Sequence, residues 1–236
     1  TLARLAGLVA RVVHLAPPPG QGAHDTRTAH LLQALSRRGR VRSLVYGSTT
    51  GVYGHAQGAR FDETRAVAPT TPRAQRRVHA ESLLRWWGRH AGARASILRI
   101  PGIYAVDREG GHPADRVRKG SPVLNRDDDV YTNHIQADDL ARACVAALWR
   151  GKPGRVVHAC DDQTMLMGDY FDLVADLCAL PRPPRISRAE AALALSPMQM
   201  SFLSESRRLD NRRLKTELRL SLRCPSVREG LGLSGA

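Results

Sequence analysis

Four short apolar runs, each separated from the next by a helical stretch, most tightly constrain what this chain can fold into. RVVHLA (11–16), VRSLVYG (41–47), RASILRI (94–100) and RVVHAC (155–160) are nearly continuous in apolar residues. A half-exposed strand would alternate instead, so the runs read as parallel strands covered on both faces. Between the first two, Ala29, Leu31, Leu32 and Leu35 recur at helical spacing, predicting a helix near 28–38. Between the next two, Ala80, Leu83, Leu84 and Trp87 stripe a helix that ends near His90. A third helix, DDLARACVAALW, carries Asp138 and Asp139 in its first turn, where the helix dipole favours them. A short basic helix is expected near 114–119. After residue 160 the pattern changes to helices broken by proline: MGDYFDLVADLCAL, then ISRAEAALALSPMQMSFLS, then DNRRLKTEL. The fold class that follows is α/β, with a doubly wound parallel sheet over 1–160 and a small, mostly helical C-terminal subdomain over 161–236.

Composition narrows the function. With 236 residues and 42% apolar content, the chain is long enough for one good core plus an appended subdomain. The net charge of +14 invites a nucleic-acid partner, but only three of the 36 basic residues are lysines (Lys119, Lys152, Lys215). The arginines run from Arg4 to Arg228 with no long basic stretch, and aromatics are only 5%. A nucleic-acid footprint clusters its charge and interleaves it with stacking rings, so no nucleic acid is expected as partner. Cys144, Cys160, Cys178 and Cys224 lie far apart with no C-x-x-C pair, and they read as small apolar residues of a reducing compartment. No apolar run approaches the roughly 18 residues of a membrane span, so a cytoplasmic, soluble protein is expected.

Six segments, in order, resemble the extended short-chain dehydrogenase/reductase family, the NAD-dependent epimerase/dehydratase group. VVHLA resembles its fourth strand, LVYGSTTGVYG its fifth strand with the active-site Ser/Thr turn, and PTTPRAQRRVHAE its catalytic helix. ILRIPGIYA resembles the sixth strand with the nicotinamide-side loop, YTNHIQADDLARA the segment ending in His-Val-Asp-Asp, and RLDNRRLKTEL the C-terminal helix motif. The resemblance implies a Rossmann-like fold, NAD or NADP as cofactor, and a nucleotide sugar or related carbonyl compound as substrate. It also implies roles for particular residues. Leu15, Ala16 and Pro17 match the strand end near the adenosine half, Gly47 and Thr49 the turn near the nicotinamide ribose, and Pro101, Gly102 and Ile103 the nicotinamide-side loop.

Two departures from the family pattern matter. In the helix motif P-x-x-P-Y-x-x-x-K-x-x-x-E, Pro69, Pro72 and Glu81 keep their places, but the tyrosine position is Arg73 and the lysine position Arg77. A guanidinium stays protonated and cannot move the proton that accompanies hydride transfer. Thr49, a lone hydroxyl, is a poor replacement; His79 points away from that helix face; Tyr46 and Tyr53 reach the site only through an unusual loop. The arginines themselves have two readings. Arg73, Arg76 and Arg77 form a solvated face with an Arg77–Glu81 ion pair, or Arg73 and Arg77 are forked donors for a phosphate or carboxylate, Arg77 replacing the lysine's ribose contacts and Arg73 facing the substrate.

The second departure is the missing Gly-rich turn that would hold a dinucleotide pyrophosphate; PPPGQG (17–22) supplies only two glycines. The chain also opens on Thr1. Both suggest that at least one βαβ unit of about 30 residues is absent, leaving RVVHLA as an apolar open edge. The chain is then a fragment of a longer protein, or its edge pairs with another chain, as in a homodimer. No metal is expected: the acidic triplet Asp127–Asp129 reads as a solvated turn. His14 and His158 read as hydrogen-bonded core residues, and Met165, Met167, Met198 and Met200 as packing in the cap. The expected activity is that of an epimerase, dehydratase or reductase with impaired or altered acid/base chemistry, and the alternative is a non-catalytic dinucleotide sensor or protein-interaction module.

Overall fold

The structure, a computed structural model, describes residues 2–232; residues 233–236 of the expected cap, and the side chain of Met198, lie outside the described residues. The four apolar runs become β1 (Arg11–His14), β2 (Ser43–Thr49), β3 (Arg94–Ile100) and β4 (Val156–His158), joined edge to edge in that order. All three pairings are parallel, with Val12 opposite Leu44, Val45 opposite Ser96 and Leu98 opposite Val157. Parallel neighbours need crossovers. These are α1 (Thr26–Ser36), α2 (Pro72–His90) and, before β4, α3 (Ala137–Arg150).

Side-chain alternation divides the core in two. Leu44, Tyr46, Ala95 and Ile97 face α1 and α2, while Val45, Leu98, Ile100 and Val157 face α3. The sheet is thus doubly wound, as its continuous apolar runs require. The exception is β1. Val13 and Leu15 remain 39% and 52% exposed, so this strand is not buried on both faces as its composition suggested. It has one strand neighbour, and the adjoining surface of α3, with Val145 and Trp149, is open as well.

A second core lies beyond the carboxyl ends of the strands. Tyr104, Val117, Leu124 and Val130 pack there with Tyr170, Phe171, Val174, Leu203 and Val227. The loop-rich stretch after β3 and the C-terminal helices therefore fold together. The expected single helix over 186–204 is two, Arg188–Ala194 and Pro197–Leu203, each begun by a Ser capping box, because Pro197 cannot continue a helix from Ala194. The acidic triplet is not uniformly solvated: Asp129 is inside, accepting from the N–H groups of Val130 and Gly168. His14 and His158 are buried and hydrogen-bonded, to Thr28 Oγ1 and Tyr53 OH respectively.

The placement of α2 decides the geometry of the site. Thr71 caps its first turn by accepting from Ala74 N at 3.2 Å, and Pro72 occupies a position where no N–H is needed. One turn from Arg77, Glu81 is 1% exposed. It does not pair with Arg77. It accepts from Ser48 Oγ on β2 at 2.7 Å and from Arg99 Nε and Nη2 on β3 at 3.0 and 2.7 Å, with Arg85 Nη2 at 3.1 Å. A lone buried carboxylate would be costly, and the fork–fork geometry with Arg99 offsets that cost. Glu81→Gln leaves Arg99 buried without its counter-charge. The expected loss is about 3 kcal/mol or more of unfolding free energy, measured by urea titration; a loss under about 1 kcal/mol would show that the helix is held by packing alone.

Candidate functional site

Parallel sheets present their ligand crevice at the carboxyl ends of the strands. Here a cavity of about 460 Å³ opens at that edge, between the sheet and the second core. From the sheet side it is lined by Thr49–Gly51 after β2, by Pro101–Ile103 after β3, and by Arg73 and Arg77 on the first turns of α2. Tyr131–His134, Arg116, Met167, Phe171, Phe202, Glu205 and Arg207 line it from the cap side.

Six of the residues singled out from sequence therefore meet in one place: Thr49, Arg73, Arg77, Pro101, Gly102 and Ile103. Thr49 Oγ1 accepts from Gly51 N at 3.2 Å, which leaves its hydroxyl proton free to donate. Arg77 is not on a solvated face. It donates to Gly47 O at 2.7 Å and to Tyr46 OH at 3.0 Å, so the helix is tied to the end of β2 and Gly47 is engaged through its carbonyl. Arg76 is buried too and donates to Gly22 O. Arg73 is exposed, with its guanidinium 5.2 Å from the Phe202 ring centre. Leu15 lies against Gly47, where an added Cβ would come within 2.8 Å of Leu15 Cδ2. Leu15, Ala16 and Pro17 do not line the cavity; the Pro17 carbonyl accepts from Arg27.

None of the weighed replacements for the missing phenol is poised to titrate there. Burial pushes the Tyr46 and Tyr53 hydroxyls up to about 12, against the opposing pull of Arg77 and Arg99. Tyr53 is spent on His158, and His79 accepts from Asp25 N on the α1 side. Sequence reasoning missed the cap-side residues. Glu205 is the one carboxylate among the lining residues; its Oε2 lies 3.7 Å, and Thr49 Oγ1 3.6 Å, from where a Cβ on Gly51 would stand. It pairs with Arg207 at 2.7 Å. His134 is stacked on Tyr170 at 3.8 Å beside Gly102, and burial pushes its imidazole down to about 3. No motif in the sequence links Arg116 or Glu205 to Arg73; only the cap's folding does. Among the described residues no cluster of His, Cys, Asp or Glu has the spacing to hold a metal, and no helix is long and apolar enough to cross a membrane.

This architecture and crevice are those of a Rossmann-like α/β protein. Residues 22–160 match the NAD dependent epimerase/dehydratase family, and the chain belongs to it. Among curated relatives, the GDP-6-deoxy-D-mannose reductase of Pseudomonas aeruginosa is 29% identical over 186 residues, 69% of this chain and 59% of that protein. The dTDP-D-glucose 4,6-dehydratase of Homo sapiens is 27% identical over 137 residues, 55% of this chain and 38% of that protein. The chain thus spans less than two thirds of the length of either. A functionally unknown conserved protein from Silicibacter pomeroyi superposes with a TM-score of 0.82 at 32% identity, covering 95% of this chain and 76% of that one. MoeE5 in complex with UDP-glucose and NAD shares the fold at 21% identity, with a TM-score of 0.75 over 99% of this chain and 80% of that one.

The second layer of the site carries a pH signature. His158, between Tyr53 OH and the Asp210 carbonyl, is pushed down to about 4, chiefly by burial. Native His158 stays neutral while the unfolded histidine takes up a proton below its ordinary 6.5, so stability is present above pH 6.5 and lost as pH falls towards 4. In urea unfolding followed across that window, His158→Gln should flatten the pH slope by about 1.4 kcal/mol per unit relative to the wild type. An unchanged slope would show that His158 is charged in the native protein.

Proposed function

We propose that this protein is a nucleotide-sugar oxidoreductase of the epimerase/dehydratase type, dependent on NAD or NADP and working in the cytoplasm, whose proton chemistry has moved off the catalytic helix. The observation that carries the reading is the convergence of Thr49, Arg77 and Pro101–Ile103 on one cavity at the carboxyl ends of β2 and β3. The residues present fit the nicotinamide end of a dinucleotide. Arg77, anchored on Gly47 O, keeps further N–H donors for a ribose, and Gly102 is exposed at the cavity wall. Relatives named as sugar-nucleotide reductases and dehydratases support the substrate class.

When bound, the nicotinamide supplies the hydride chemistry. The chain's own residues do the rest. Thr49 donates a hydrogen bond to the reacting oxygen, and Arg77 holds the ribose side. Arg73 faces the substrate as a fixed positive charge and releases no proton. Glu205, the carboxylate among the lining residues, takes or returns the substrate's hydroxyl proton as hydride leaves or arrives. The adenosine end falls to residues 15–17 at the end of β1.

Titrating the complete gene product with NADH and NADPH, then adding UDP-, GDP- and dTDP-sugars, tests the reading. Binding near micromolar with turnover is expected. Glu205→Gln should keep dinucleotide affinity and lower kcat by about 10² to 10⁴, whereas Arg73→Ala should leave kcat within about tenfold. Dinucleotide binding with no absorbance change for any sugar nucleotide would favour a sensor, and no dinucleotide binding would sink the proposal.

A further inference from the structure

Four guanidiniums line the cavity, and they are not equally occupied. Arg77 is committed to Gly47 O and Tyr46 OH, and Arg207 to Gly54 O and the cavity's one carboxylate, Glu205. The remaining two have no such partners. Arg73 makes no hydrogen bond or ion pair among the described residues and rests against Phe202. Arg116 lies 4.6 Å from the centre of the Phe171 ring, donates to Pro122 O only at a long 3.4 Å, and leaves Nε buried without a partner.

An unneutralised guanidinium packed on an aromatic wall is costly, because the ring replaces only part of the water it loses. Burial works against Arg116's charge, opposed only by Asp129. That carboxylate is already spent on two backbone N–H groups and on Arg185 at 3.6 Å. Arg116 and Arg73 thus stand on the same cavity as two cations, each braced by a phenylalanine and each lacking an anion. The forked donors of arginine suit a planar or tetrahedral acid group.

We propose that the cavity takes a ligand bearing an acid group, carboxylate or phosphate, held by Arg116 from the cap and Arg73 from α2, at the substrate end of the site. The inference concerns the ligand's charge and stands whether or not the protein turns over. It makes the tyrosine-to-arginine change at position 73 a gain of anion recognition at the helix turn where the family keeps its acid/base.

The test is thermal unfolding of the complete gene product in sodium phosphate against sodium chloride at equal ionic strength, with Arg73→Gln, Arg116→Gln and Arg89→Gln. Arg89 is exposed at the far end of α2 and controls for the overall positive charge. Phosphate should raise the wild-type and Arg89→Gln midpoints by several degrees, and by less than half as much in the other two. No wild-type shift, or equal shifts in all four proteins, would overturn the proposal; Arg73→Gln alters only an exposed side chain and keeps the test informative if Arg116→Gln folds poorly. UDP-glucuronic acid and UDP-glucose, which differ by one carboxylate, then locate the acid group. A preference of roughly tenfold or more for the acid sugar, lost in both variants, assigns it to the sugar. Equal affinities that both fall in the variants assign it to the diphosphate. Phosphate protection without affinity for either nucleotide would keep the anion site and remove the nucleotide-sugar reading.

Discussion

The buried carboxylate of Glu81 fixes the rest of the site. By accepting from Ser48 on β2 and forking onto Arg99 on β3, it sets the axial position of α2 against two adjacent strands. A helix repeats every 3.6 residues, so that anchor places Arg77 one turn earlier at the end of β2, and Arg73 one turn beyond it over the cavity. Slip the helix by a residue and all three contacts are lost together. Non-directional apolar packing of Ala80, Leu84 and Trp87 holds the helix on the sheet but does not specify this register.

At the outer turns of that register the side chains are guanidiniums, those of Arg73 and Arg77. A phenol beside an ammonium is a proton carrier; a guanidinium is a permanent cation with a planar fork of donors. The cavity accordingly holds four arginines and one carboxylate among its lining residues. That excess of positive charge favours an anion.

Much of this was legible in the sequence, for identifiable reasons. β3 spans the whole of RASILRI, because six consecutive buried residues, Ala95 to Ile100, leave no ambiguity of pattern. That Thr49, Arg77 and Pro101–Ile103 belong near one another was legible from the family resemblance of the three segments that carry them, and all five line the same cavity. The fate of Glu81 was not. Spacing of four residues made Arg77 its obvious partner, but tertiary partners on β2 and β3 outweighed a helical ion pair worth only a few tenths of a kcal/mol. The exposure of β1 agrees with the expected open edge and not with its composition, since a strand's cover comes from elements elsewhere in the chain. Arg116 and Glu205 carry no local signal at all, and His134 lies in the YTNHIQADDLARA segment without being singled out. They reach the cavity only because the loop after β3 and the C-terminal helices share one core.

The most direct test of the account is a crystal structure of the complete gene product grown with NADH. The prediction is the nicotinamide ring beside Thr49, its ribose within hydrogen-bond reach of Arg77, and no tyrosine hydroxyl within about 4 Å of the reacting carbon, the range of non-bonded contact. A cofactor bound away from this cavity, or a phenol delivered to the ring by a rearranged Tyr46 or Tyr53, would contradict it.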